Sequence, residues 1–181
     1  MEFFEALNDD HRAFVERQPV FFVATAAPDA RINLGPKGMD TFRVLDAHTV
    51  AYLDLMGSGN ETNAHLLADG RMTVMFCAFD RPALILRLYG HGRAVLPQDG
   101  EWAALAACFP ALPGTRQIFV LAVDEVQTSC GWAVPEMTLV RERPTLEKYH
   151  AQRSPEALLE IMATRDRSID GLPVRVPTAV P

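Results

Sequence analysis

At 181 residues, with 49% apolar and 22% charged side chains, the chain suits one domain with a core large enough to need no disulfide staples. Seventeen basic against 23 acidic residues give a net charge of −6, which argues against nucleic-acid binding through general electrostatics and leaves room for a local basic pocket. Cys77, Cys108 and Cys130 are odd in number and form no CxxC pair, so neither a disulfide framework nor a zinc site is expected; the acidic start MEFFEALNDDHRAF and the lack of a long apolar run argue for a cytoplasmic protein without signal peptide or membrane span.

In chain order, Glu2 to Arg17 reads as a helix with Phe3, Leu7, Phe14 and Val15 near one face, stopped by Pro19. Val20 to Ala26 is β-branched and aromatic and predicts a strand. Pro28-Asp29 is a turn signal, after which Arg31 to Gly35 pairs back. Phe42 to Leu45 and Thr49 to Leu55 form a hairpin around Asp46-Ala47-His48. A Gly-rich turn, Gly57 to Thr62, leads into a short helix closed by Gly70. Arg71 to Phe79 is a core strand, and Ala83 to Leu96 a longer one in which Gly90 and Gly92 mark a bulge. Asp99 is placed to cap a helix in EWAALAAC. Gln117 to Val126 is a further strand running on towards Pro135. The tail from Arg141 to Asp166 is charged and helical, with Ser154-Pro155 as a helix start, and the chain beyond Gly171 is expected to be extended or frayed. The expected fold is therefore mainly β: a six-stranded antiparallel barrel with short inserted helices and a helical tail, closure removing the exposed edges.

The loop GSGNET is the segment that most resembles chemistry. Amides at a helix start point outward unpaired and favour an anion, and Ser58, Asn60 and Thr62 add side-chain donors, which suits a phosphate. A plain turn before a capped helix has the same residues. The dinucleotide fingerprint GxGxxG fails because Thr62 replaces the third glycine and the upstream strands form hairpins, and no Gly-Lys-Ser/Thr follows to make a P-loop. Lys37, held between Pro36 and Gly38, is either a solvated turn residue or a cation for that phosphate; Arg31 and Arg87 interrupt apolar strand patterns, and Arg87 either faces solvent or serves the same site.

Taken in order, FFVATAAPDARINLGPKG, VAYLDLMGSGNETNAHLLADGRMTVMF and LILRLYGHGRAV resemble the successive strands of the pyridoxamine 5′-phosphate oxidase-like family, the FMN-binding split barrels. VQTSCGWAVP and SIDGLP resemble a subgroup of short members. The resemblance implies a homodimer with FMN in two clefts between subunits. It implies that Arg31, Ile32, Asn33 and Lys37 lie along the flavin and its phosphate, that Tyr52, Leu53 and Asp54 run beside the cofactor, and that Ser58, Asn60, Glu61 and Thr62 form the phosphate loop. Arg87 matches a central-strand arginine, and Trp132 either covers a flavin, its own or the partner's, or packs as a core or interface aromatic. Two departures stand out: the phosphate loop lacks the family's basic pair, and the tail TLEKYHAQRSPEALLEIMATRD replaces the substrate segment of the true oxidases, so vitamin B6 oxidation is not expected.

No acid–base constellation is evident, in keeping with a flavin that carries the electron chemistry while the protein orients it. Three readings are open: an FMN-dependent oxidoreductase for a small molecule, with NAD(P)H or oxygen as redox partner; a non-catalytic flavin carrier or sensor; or a split barrel using haem or a deazaflavin. Haem would need an axial ligand, with His11 and His150 as candidates, and His65 is placed to line the site.

Overall fold

The computed structural model describes residues 1–181. In chain order its elements are β1 (Glu2–Phe4), α1 (Asp9–Glu16), β2 (Phe21–Thr25), β3 (Asn33–Lys37), β4 (Phe42–Val44), β5 (Thr49–Leu55), α2 (Glu61–Ala68), β6 (Arg71–Cys77), β7 (Leu84–Val95), α3 (Trp102–Ala106), β8 (Thr115–Cys130), α4 (Thr145–Ala151) and α5 (Pro155–Ala163). The strands form one sheet in the order β3-β2-β6-β7-β8-β5-β4, with β1 added on β8, and every pairing is antiparallel.

The sheet curls until its two ends face each other. Phe21 of β2 meets Phe42 of β4 at 5.1 Å between ring centroids, although the two strands share no ladder. The barrel is thus split, closed there by side chains rather than backbone hydrogen bonds. Its interior is filled by alternate residues of each strand, Phe21, Val23, Tyr52, Phe76, Leu86, Leu88, Phe119 and Leu121 among them. Residues of the opposite parity in β5 and β8, with Val95, make a second, smaller core of Ala51, Leu53, Val95, Ile118 and Val120, roofed by Trp102, Leu105 and Phe109 around α3. The parity changes where expected. The register between β7 and β8 shifts at Tyr89/Gly90, and a Cβ on Gly90 would lie 1.9 Å from the Ala122 carbonyl oxygen.

Three expectations are corrected. The sheet has eight strands rather than six, and the helix expected over 2–17 is divided. Asn8 starts α1 by accepting the His11 amide, while the His11 ring accepts the Asn8 amide; the residues before this capping box are free to pair as β1 with Val126 to Thr128. Asp99 does not cap α3 with its side chain, which accepts from the Leu96 amide and from Arg175. The chain beyond Gly171 is extended but pinned: the Asn63 side chain accepts the Arg175 amide and donates to the Arg175 carbonyl, imitating a strand partner. The helix at Ser154-Pro155 forms as expected, with the Ser154 hydroxyl accepting the Ala157 amide.

Candidate functional site

The corner between β5 and α2 is built on buried polar groups. Asp54 is the last inward polar residue of β5. Its carboxylate takes two hydrogen bonds from Arg116 of β8, at 2.9 and 2.7 Å, and one from Gln117 at 2.8 Å. Both members of this ion pair are more than nine-tenths buried. Arg116 also donates to the Gly59 carbonyl, and Gln117 donates to Asn60 and accepts from Asn63. The path of the GSGNET loop is therefore set from below by two strand residues. Buried polar groups are costly unless paired. The loop accordingly holds a conformation that pairs the side chains of Asp54, Arg116, Gln117, Asn60 and Asn63.

A second chain of side chains runs along the loop's other flank. Asn33 of β3 donates to both Thr25 and Thr62 at 3.0 Å, and Thr25 shares a hydrogen bond with His65 at 3.1 Å. It ends on two buried atoms without a partner, the Tyr52 hydroxyl, which lies beside Thr62, and Nε2 of His65. Burial, and then the Asp54 carboxylate, push the Tyr52 phenol well above its ordinary value, so it stays protonated.

The upper side of the loop is different. No carbonyl or side chain of the protein accepts from the amides of residues 57–63. The Arg165 guanidinium reaches down to the Ser58 carbonyl. Arg31 follows the β-turn at Asp29, where φ is 57°, and reaches the same corner through Asp170, whose neighbour Ile169 donates to the Glu61 carboxylate. Unpaired amides at a helix start with guanidinium groups in the same corner favour an anion.

The sheet's outer wall forms a second surface. Register aligns Pro36, Phe22, Met75, Arg87, Gln127 and Phe3 in one row across six strands. Arg87 donates to Gln127 and Ser129, and the Tyr89 hydroxyl to Gln127 at 3.0 Å. All are half-buried or exposed in the single chain, and Leu34 and Ile32 beside them are 66% and 78% exposed. An apolar wall with a small polar cluster at its centre is suited to a flat ring or to another protein surface.

The structure thus divides the residues singled out from sequence. Asn33, Asp54, Asn60 and Thr62 meet in the buried networks. Arg31, Ser58 and Glu61 line the upper side of the loop. Lys37 shares the inner face of β3 with Asn33, its ammonium folded back over Gly35. Tyr52 and Leu53 are packed in the two cores. Ile32 and Arg87 belong to the outer wall, on the far side of the sheet from Lys37. Trp132, 87% exposed, follows β8 and lines a shallow pocket of about 650 Å³ with Arg81, Val134 and Glu136. His65, expected to line the site, is 1% exposed and bonds Thr25 behind the loop. Of the two axial-ligand candidates, His11 accepts in the capping box through one ring nitrogen, and His150 has both ring nitrogens 3.0 Å from the carbonyl oxygens of Pro113 and Met56. Sequence reading missed Arg116, Gln117, Asn63, Arg165 and Asp170. The one signal available was a charged and an amide residue, Arg116-Gln117, opening an otherwise apolar strand.

Fold and site define an antiparallel split barrel with a polar corner poised for an anion. A family model for pyridoxamine 5′-phosphate oxidase matches residues 7–130. The chain is 37% identical to the pyridoxamine 5′-phosphate oxidase family protein ustO of Aspergillus flavus, over 94% of its own length and 76% of the relative's. It belongs to the pyridoxamine 5′-phosphate oxidase family. Solved structures share the fold. A Lactobacillus delbrueckii protein assigned as a pyridoxamine 5′-phosphate oxidase matches with a TM-score of 0.56 at 18% identity, covering 68% of this chain and 95% of that one. HupZ of Group A Streptococcus matches with 0.54 at 20% identity, covering 67% and 98%. The FAD binding protein of Mycobacterium smegmatis matches with 0.50 at 16% identity, covering 68% and 96%.

Proposed function

We propose that the protein is a homodimeric flavoprotein that binds FMN between subunits and acts as an oxidoreductase on a small molecule, with NAD(P)H or oxygen as redox partner. The observation that carries the reading is the upper side of the GSGNET loop, whose amides have no acceptor in the protein, with Arg165 on the Ser58 carbonyl and Arg31 linked to the same corner through Asp170. That is a donor set for a phosphate monoester. Family membership makes a flavin the natural owner of that phosphate, and a protein of the same fold, from Mycobacterium smegmatis, binds FAD. The shorter FMN is favoured because the site offers one cluster of donors and no second basic cluster for a diphosphate.

When bound, the flavin supplies the electron transfer. The chain's own contribution is position and charge. Lys37 offers the one cation on the inner face of β3 that has no ion-pair partner. On the opposite face of the sheet from Lys37, the outer wall presents Leu34, Phe22 and Met75 with Arg87, held by Gln127 and Ser129, to a second subunit and its flavin. The same wall, exposed in one chain, is the surface a second subunit would cover.

The test is an absorption spectrum of the purified protein before and after adding FMN. Bands near about 370 and 450 nm that survive gel filtration are expected. Lys37→Met should then weaken FMN about tenfold, one charged contact to the ligand being worth roughly 1.4 kcal/mol. A protein that takes up no FMN would remove the reading. If FMN binds and reduced nicotinamide is not consumed with any acceptor tried, the carrier or sensor reading replaces it.

A further inference from the structure

Arg31, expected to face the ligand, already holds an anion supplied by the chain itself. The Arg31 amide donates to one oxygen of Asp170 and its guanidinium to the other, both at 2.9 Å. A main-chain amide and a guanidinium gripping two oxygens of one group is the arrangement a phosphate would take. The residues are 139 apart in sequence, so this contact is not a by-product of local geometry.

The segment that delivers the carboxylate is shaped to do so. Between Arg165 and Arg175 the chain forms a small hairpin. Arg167 bridges Pro173, the Ser168 amide donates to the Leu172 carbonyl, and Gly171 supplies the turn at φ 81°. The Ser168 hydroxyl accepts the amides of Asp170 and Leu172, which fixes Asp170 at the tip. The hairpin is tied on both sides of the site. Arg165 reaches the Ser58 carbonyl, the Ile169 amide donates to the Glu61 carboxylate at 3.2 Å, and Asn63 clamps Arg175. The ties at its tip are lighter: Arg31 is 69% exposed, against 19% for the Asp170 side chain, and Glu61 meets only an amide. The tie at Arg175 is the firm one, made by a buried asparagine. Such a segment can lift at the tip while staying attached at its base.

We infer that residues 165–175 form a self-supplied plug, in which Asp170 occupies the anion position on Arg31 and yields it to the ligand's phosphate. This rests on the phosphate-binding reading above. Because the competitor is tethered, its strength does not depend on protein concentration, and it raises the threshold for the phosphate end of the ligand only.

The test compares wild type with Asp170→Asn and Asp170→Ala, titrating each with FMN and with riboflavin, the same ring without phosphate. Unchanged thermal midpoints for the variants establish that they fold. FMN affinity should rise about fivefold in both variants, the worth of one exposed charge-assisted contact, while riboflavin affinity stays as in wild type. Amide hydrogen exchange at Ile169 in wild type should speed up when FMN binds. Unchanged or weaker FMN binding by the variants, or an Ile169 amide as protected with FMN as without, overturns the plug. If no form binds either flavin, the cofactor reading has failed and the plug is judged by inorganic phosphate: faster exchange at Ile169 supports it, and unaltered exchange overturns it.

Discussion

Single residues at the polar corner have unequal consequences. Arg116→Met would leave the Asp54 carboxylate buried without its partner and free the Gly59 carbonyl. A loss of about 3–5 kcal/mol is expected from urea unfolding, and Asp54→Asn in the same chain should restore part of it. His11 gives a pH signature. Burial lowers its pKa from 6.5 against the opposing pull of Asp10, and its neutral ring accepts the Asn8 amide in the capping box. A depressed histidine is neutral in the folded chain while the unfolded chain takes up a proton. Its stability contribution is therefore present above pH 6.5 and lost as the pH falls below it. His11→Gln keeps an acceptor at that position and should flatten the fall in thermal midpoint between pH 7 and 5. At this scale the sequence marked the polar residues of the corner better than the contacts each one makes. Asn33, Asn60 and Thr62 were legible as polar residues in a turn or at a strand end. Their partners Thr25 and Gln117 were not, because long-range hydrogen bonds leave no local periodicity to read.

Elements were read more securely than residues, since alternation and turn chemistry are local. The hairpin around Asp46-Ala47-His48, the helix at Ser154-Pro155 and the bulge at Gly90 all formed where the pattern placed them. The errors lie where a local signal had two readings. Glu2 to Phe4 carries a helix-compatible pattern, and only the capping box at Asn8 and an open flank on β8 make it a strand. The segment after Gly171 is rich in proline and valine, which suggests fraying; tertiary contacts through Asn63 hold it instead. The bulge supports a direct prediction. Gly90→Ala would drive a methyl into the Ala122 carbonyl, so β7 must shift against β8. A loss of about 2 kcal/mol or more is expected, read as a fall in thermal midpoint, whereas Gly100→Ala, with open space around it, should have little effect.

For the whole molecule, the outer wall and the segment after β8 expose large apolar side chains that a second subunit would cover: Phe3, Ile32, Leu34, Trp132, Met137, Leu139 and Val140. Sedimentation equilibrium should give twice the 20.0 kDa chain mass, and Leu34→Glu on the outer wall should shift the equilibrium towards the single chain without unfolding it. No helix is long and apolar enough to cross a membrane. The barrel, its antiparallel order and its polar corner could be anticipated from the resemblance and the patterning together. The covering of that corner by the last tenth of the chain could not, because nothing local marks Asp170 as the partner of Arg31.

The clamp between Asn63 and Arg175 has a bearing on how the molecule is made. Every strand of the barrel has been synthesised by Cys130, and the sheet needs nothing after it to pair. The corner loop is different: its upper side is covered only when Arg165 to Arg175 have left the ribosome some 35 to 45 residues later, a lag of a few seconds at about 5–20 residues per second. During that interval Arg31 has no Asp170 to pair with. If Asp170 competes as inferred, a phosphate-bearing ligand present at that moment meets no competitor, and loading during synthesis and loading of the finished protein would be different reactions.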